Sequence, residues 1–191
     1  MLRVGLTGGI AMGKSTVGAM FVELGCHLID SDQISHRLLE WRQAVYEAVI
    51  KEFGTQILAA DGSISRAILG EIVFKDPGAR ARLNSIMHPS VIQHQLEWLR
   101  EMEDQDPGGI AIVDAALMIE VGTYKNYDKV IVVTCAPEIQ KQRLKERSRL
   151  SDDQIEAQEE VTGIHMRLTP QEAVADAMEA AMAAVDKILD E

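Results

Sequence analysis

Residues 2–16 read LRVGLTGGIAMGKST, and this stretch decides the fold. It opens with a short apolar run, LRVGLT, that does not alternate with polar residues, which predicts a strand buried on both faces. The run ends in Gly8-Gly9-Ile10-Ala11-Met12-Gly13-Lys14-Ser15-Thr16, and KSTVGAMFVEL (14–24) then carries a helical pattern closed by Gly25. Strand, glycine turn, lysine and helix together fit the Gly-x-x-x-x-Gly-Lys-Ser spacing of a phosphate-binding loop. Gly8 and Gly13 are expected to supply backbone angles that other residues resist, so that successive N–H groups turn inward. Those amides and the helix N-terminus form a cradle for the β- and γ-phosphates of a nucleoside triphosphate. Lys14 is expected to bridge the same oxygens, Ser15 to offer its hydroxyl to Mg²⁺, and Thr16 to lie near the α-phosphate.

Working outward, CHLID (26–30), IAIVDAAL (110–117) and KVIVVT (129–134) are further apolar, Val- and Ile-rich runs separated by helical stretches. This βαβ rhythm predicts an α/β fold, a doubly wound parallel sheet of the P-loop NTPase type. TGIHMR (162–167) is the candidate fifth strand, and LTPQEAVADAMEAAMAAVDKIL (168–189) reads as an amphipathic helix with Thr169 as N-cap, Pro170 at the first position and Glu172 completing a capping box. Residues 33–100 interrupt the alternation with helical sequence: AVYEAVIKEFG, an ADGS turn, ISRAILGEIVF, then ARARLNSIMHPSVIQHQLEWLREME. The expected organisation is one domain over 1–191: a nucleotide-binding core of 1–32 and 101–191, with a lid over 138–160, and a helical insertion over 33–100.

Composition limits the chemistry. The chain has 191 residues, 47% of them hydrophobic, enough for a sizeable core. Its net charge of −11 argues against a nucleic-acid binder, which needs a basic face. No apolar run approaches the roughly 18 residues of a membrane span. Cys26 and Cys135 stand in or beside apolar runs, which suits buried free thiols in a reducing cytoplasm.

Three groups of side chains are candidates for the reaction. IAIVD ends in Asp114, where a carboxylate can hold a metal-bound water, or simply cap a strand. LIDSD places Asp30 and Asp32 at the end of the second strand, the edge that faces the ligand crevice in such sheets. A carboxylate there can accept a proton from an attacking hydroxyl; paired acids at a strand end also cap helices. EIQKQRLKERSRL (138–150) puts Arg143 and Arg147 four apart on one helix face, available to close over a triphosphate or to pair with Glu138 or Glu146. These residues leave open whether the acceptor is a nucleotide, a sugar or another alcohol, and whether the protein is a non-catalytic ATP-binding regulator. A switch-type GTPase is disfavoured, because no Asn-Lys-x-Asp-like base-reading motif is present.

In these stretches the chain resembles the dephospho-CoA kinase family over about residues 1–150. GLTGGIAMGKSTV resembles its phosphate loop, LIDSDQISHRL its Asp-x-Asp segment, and ALMIE and VIVVTCAPEIQKQRLKER its later strand and lid helix. ADGSISRAILGEIVFKDPGARARLNSIMHPSV (60–91) is the most diagnostic, with an Asp-Gly turn, an Arg, a Val-Phe pair and a His-Pro pair at the family's spacings. The resemblance implies transfer of the ATP γ-phosphate to the ribose 3′-hydroxyl of dephospho-CoA, with ATP and Mg²⁺ required, in the cytoplasm. It implies that Asp32 is the base with Asp30 beside it, and that Arg143 and Arg147 belong to the lid. Arg66, His88 and Glu120 fall in or around the acceptor site, and the helical insertion binds the acceptor. His88-Pro89 has a structural alternative, since His-Pro ahead of a helix marks an N-terminal boundary. The chain departs from the family where a Gly-Ser pair is usual and Ala11-Met12 stands, and the family's C-terminal segments are not recognisable after residue 150, with TGIHMRLTPQE (162–172) as the candidate degenerate remnant.

Overall fold

The computed structural model describes residues 1–40 and 43–148, with the side chains of Arg147 and Ser148 left out. The candidate fifth strand, the C-terminal helix with Thr169, Pro170 and Glu172, and the lid beyond Ser148 lie outside the described residues. The chain divides into two compact units, Met1–Ile29 with Glu101–Glu191, and Asp30–Arg100.

The first unit is built on a sheet. Strands β1 (Leu2–Gly8), β2 (His27–Asp30), β3 (Ile110–Asp114) and β4 (Lys129–Val133) lie in the order β2-β3-β1-β4. β1 runs parallel to both neighbours, with Leu6 opposite Asp114 and Gly8 opposite Val133. Burial follows this order. The central strands β1 and β3 are the most buried, while every residue of β2 and β4 keeps partial exposure. Val4, Leu6, Cys26 and Ile112 form the core, packed by Val17, Phe21 and Leu28. Burying a leucine or isoleucine as fully as Leu6 and Ile112 stabilises by about 1.5–3 kcal/mol each. Both cysteines are free thiols; Cys26 is buried, whereas Cys135 is only half-buried.

Helix α1 (Lys14–Glu23) follows the loop. Gly18 lets it lie close to the sheet, because a Cβ there would meet Leu28 at 3.0 Å and Leu6 at 3.5 Å. Gly25, at φ +87°, ends it as expected: the Cys26 amide donates to Phe21 and the Gly25 amide to Val22, the paired bonds of a left-handed helix stop. The topology places the strand-order switch between β1 and β3, and ligands of such sheets bind outside the strand ends at that point.

The second unit is helical. Helix α2 (Ser31–Leu38) packs against α3 (Ala44–Phe53), and a 3₁₀ turn at Thr55–Ile57 packs against α3 and α4 (Arg66–Lys75). Val45, Tyr46, Val49 and Phe53 form the buried stripe of α3. The Asp-Gly turn forms as read. Gly62 is at φ +82°, the Asp61 carboxylate accepts from the Ser63 amide at 2.9 Å, and the Tyr46 hydroxyl donates to the Gly62 carbonyl at 2.6 Å.

The segment after Asp76 corrects one expectation. His88-Pro89 does not begin a helix; it lies inside α5 (Pro77–Gln105), 29 residues long, which starts at Pro77 instead. Proline there removes one i→i−4 hydrogen bond. Met87, Val91, Gln95 and Leu99 are buried along this stretch, so tertiary packing holds the turn that the proline weakens.

Candidate active site

The sheet register builds the phosphate side. Pairing Leu6 with Asp114 sets the end of β3 beside the start of the loop, and the Thr7 hydroxyl fastens the two by donating to the Ala116 carbonyl at 3.2 Å. Asp114 is buried, and Lys14 forms an ion pair with its carboxylate. The first lysine of the helix and the last residue of β3 are therefore partners across 100 positions of sequence.

The loop glycines divide their tasks differently from the expectation. Gly13 does adopt φ +98°, the left-handed region that favours glycine, and serves as N-cap of α1. Gly8 has no positive φ. Its missing side chain makes room instead, since a Cβ would stand 2.6 Å from the Val133 carbonyl oxygen of the neighbouring strand. The other left-handed residue is Ala11, at φ +58°. A non-glycine there costs on the order of 1–2 kcal/mol unless its surroundings hold it.

Within the loop, the Met12 amide donates to the Gly9 carbonyl at 3.3 Å, while the amides of Ile10, Ala11, Gly13, Lys14 and Ser15 donate to no backbone carbonyl among the described residues. Ser15 and Thr16 are exposed. Free amides at a helix start, a lysine and two hydroxyls are the kind of donors that can hold a polyanion. The donors fit magnesium too: Ser15 and Asp114 are hard oxygen ligands, and Mg²⁺ commonly takes one or two protein oxygens and draws the rest from phosphate and water. Among the described residues, no cluster of three or more His, Cys, Asp or Glu could hold a metal ion alone.

Helix α7 (Pro137–Ser148) reaches this loop. Arg143 donates to the Ala11 carbonyl at 3.4 Å and lies against Gly13, so it turns toward the loop. It forms no ion pair with Glu138 or Glu146; Glu146 instead accepts from Gln142 at 3.0 Å. Arg147 stands in the last turn of α7. Glu120 is an exposed residue of α6 (Met118–Val121) in the same unit. The sequence reading missed Gln140. This buried residue donates to the Ile10 carbonyl at 2.9 Å, and its signal was its place one turn ahead of Arg143.

Glu120 apart, the acceptor-side candidates belong to the helical unit. Asp30 is the N-cap of α2, its carboxylate accepting from the Asp32 amide at 2.8 Å and from the Gln33 amide at 3.4 Å. Asp32 stands exposed in the first turn, where the helix dipole favours its negative charge, and it has no side-chain partner among the described residues. The adjacent Ser31 is buried and accepts from the Gln95 side chain at 2.7 Å, which fixes the start of α2. Arg66 is the exposed first residue of α4, whose N-cap is Ser65. His88 is half-buried in α5, and its burial lowers its pKa by disfavouring the charged ring.

A family profile described as dephospho-CoA kinase matches residues 2–178. The chain belongs to the dephospho-CoA kinase family. The activity that goes with this membership is ATP-dependent phosphoryl transfer, that of a dephospho-CoA kinase. Similar curated proteins include the dephospho-CoA kinase of Aquifex aeolicus, 41% identical over 80% of this chain and 76% of its own length. That of Dechloromonas aromatica is 41% identical over 81% of this chain and 73% of its own. Among solved structures, one from Thermus thermophilus shares the fold with a TM-score of 0.72 at 24% identity, over 96% of each chain. The dephospho-CoA kinase from Campylobacter jejuni superposes with a TM-score of 0.57 at 26% identity, covering 97% of this chain and 96% of the other. Among the described residues, no helix is long and apolar enough to cross a membrane.

Proposed function

We propose that this chain transfers the γ-phosphate of ATP to the ribose 3′-hydroxyl of dephospho-CoA, in the cytoplasm, with the Gly8–Thr16 loop holding the triphosphate. One observation carries this reading: among the described residues, the loop has several amides that donate to no backbone carbonyl, and Lys14 is paired only with a carboxylate that nucleotide phosphates can replace. Asp32 is the base. Its carboxylate is exposed and without a partner among the described residues, whereas that of Asp30 is engaged in capping. Asp32 takes the proton of the 3′-hydroxyl as the hydroxyl oxygen bonds to the γ-phosphorus; the bond from that phosphorus to the β,γ-bridging oxygen breaks, and ADP leaves. Lys14 and Arg143 oppose the charge that spreads over the migrating group. Arg147 and the 138–160 lid exclude water, while Arg66, His88 and Glu120 belong to the acceptor site within and around the 33–100 insertion. A fifth strand completes the sheet. Ser15 and Asp114 would hold Mg²⁺, Asp114 by way of a water, and the ion would neutralise phosphate charge.

The test is an assay with ATP, Mg²⁺ and dephospho-CoA. ADP and CoA are expected to form in equal amounts, with little ADP when the acceptor is left out. ADP formed only with a different alcohol overturns the acceptor assignment. No turnover together with normal ATP binding makes the protein a binder and not a kinase.

A further inference from the structure

Three α7 residues touch the crest of the phosphate loop. Gln140 donates to the Ile10 carbonyl at 2.9 Å, Arg143 donates to the Ala11 carbonyl at 3.4 Å, and Leu144 packs with Ala11 in a small buried cluster. They occupy positions i, i+3 and i+4, one face of the helix. The crest they hold contains the loop's only residue in the left-handed region that is not glycine, Ala11. Gln140 is 8% exposed and Leu144 1%, so both contacts are sheltered from competing water.

We infer that Gln140 is a positioning residue for nucleotide binding, which braces the Ile10–Ala11 crest so that the loop amides stay aimed at the phosphates. The argument is one of backbone orientation. A peptide carbonyl and the following amide share one plane, so fixing the Ile10 carbonyl on Gln140 fixes the direction of the Ala11 N–H as well. Holding the Ala11 carbonyl on Arg143 does the same for the Met12 N–H. A glycine at position 11 would adopt the left-handed angle unaided. With alanine there, the brace offsets the strain of that angle, and α7 becomes part of the phosphate site although it lies about 130 residues further on.

This inference rests on the proposed nucleotide reading, and the experiment separates the two. Mg·ATP binding is measured by calorimetry, together with Tm and KM for both substrates. The proteins are the wild type, Gln140→Glu, Gln140→Met and Ala11→Gly, with Gln140→Met also made on the Ala11→Gly background. Gln140→Glu puts an acceptor against an acceptor, and Gln140→Met keeps the volume without the donor. Both variants are expected to weaken ATP binding and raise KM for ATP about tenfold, a typical weight for one buried hydrogen bond. The KM for dephospho-CoA is expected to stay within twofold. Adding Ala11→Gly should restore most of the lost ATP affinity, a coupling that a general loss of packing cannot produce. Equal ATP affinity in wild type and both Gln140 variants overturns the inference, as does a loss that Ala11→Gly leaves untouched. If a Gln140 variant does not fold, Ala11→Gly in the wild-type background decides alone: it should raise Tm by removing the strain, and a lowered Tm overturns the inference. Wild-type protein that binds no Mg·ATP overturns the nucleotide reading and this inference with it.

Discussion

The two units present their reactive residues in opposite ways. On the phosphate side the charged candidates with described side chains are tied down, Lys14 to Asp114 and Arg143 to the Ala11 carbonyl, and the loop crest is tied to Gln140, while the Ser15 and Thr16 hydroxyls stand exposed. In the helical unit, Asp32 and Arg66 stand exposed without a side-chain partner among the described residues, and only the backbone beneath Asp32 is fixed, through Asp30 and the Gln95–Ser31 bond. The difference has a physical cause. A triphosphate must meet several donors at once, so a loop already shaped for it saves the entropy of ordering those donors on binding. A base needs a free lone pair, and a carboxylate without hydrogen bonds at rest keeps all of its lone pairs available. The tied side is therefore expected to couple function to stability, and the untied side to separate them.

The sharpest way to break this contrast is Asp32→Asn. The amide cannot take the hydroxyl proton, so kcat is expected to fall about 10²- to 10⁴-fold, the usual weight of a general base. Because Asp32 is exposed and has no side-chain partner among the described residues, ATP affinity should match the wild type and Tm should fall only slightly, by the loss of its helix-dipole interaction. Activity within a few-fold of normal would remove Asp32 from the base role, and a large fall in Tm would show that the residue is structural after all.

Asp114→Asn examines the tied side and should behave in the reverse manner. It leaves the largely buried Lys14 ammonium without its counter-charge, a loss on the order of 3 kcal/mol in the free protein. ATP supplied with a chelator, so that magnesium plays no part, offers phosphate oxygens as a replacement partner. The nucleotide-induced rise in Tm is then expected to be larger in Asp114→Asn than in the wild type. Equal rises would mean that Lys14 does not exchange Asp114 for phosphate.

The sequence made the tied side legible in part. Gly13-Lys14-Ser15 after an apolar strand specifies a local structure, and the strand, loop and helix appear where the pattern sets them. The place of Asp114 at the end of β3 was readable from the apolar run before it, whereas its ion pair with Lys14 was not. Gln140 and the left-handed Ala11 were not readable. Positions 10–12 are free in the pattern, and the residue that fixes them comes from a helix about 130 positions away. Gly8 was read correctly as necessary but for the wrong reason, because crowding by a neighbouring strand leaves no local trace. In the helical unit, Asp30 could be read as a base or as a cap with equal right; only the bonds to the Asp32 and Gln33 amides separate the two. His88-Pro89 misled because the rule that proline starts helices is local, while the packing that carries α5 through it is not.

That same histidine gives the smallest of these effects. Burial lowers the pKa of His88 in the folded protein, so the folded state holds a proton there less readily than the unfolded chain, whose histidine titrates near its ordinary value of about 6.5. Well above that value both forms are neutral and the residue adds no pH dependence. As the pH falls through it, the unfolded chain takes up the proton first and stability declines, levelling off once the pH is below the folded value. Denaturant titrations between about pH 7.5 and pH 5 should therefore show a steeper acid loss in the wild type than in His88→Asn. The difference in slope cannot exceed about 1.4 kcal/mol per pH unit, the limit for one proton, and should be well below it for a half-buried ring. Parallel slopes would mean that the ring is as hydrated in the folded protein as in the unfolded chain, and would place His88 with Asp32 and Arg66 among the open groups of the helical unit.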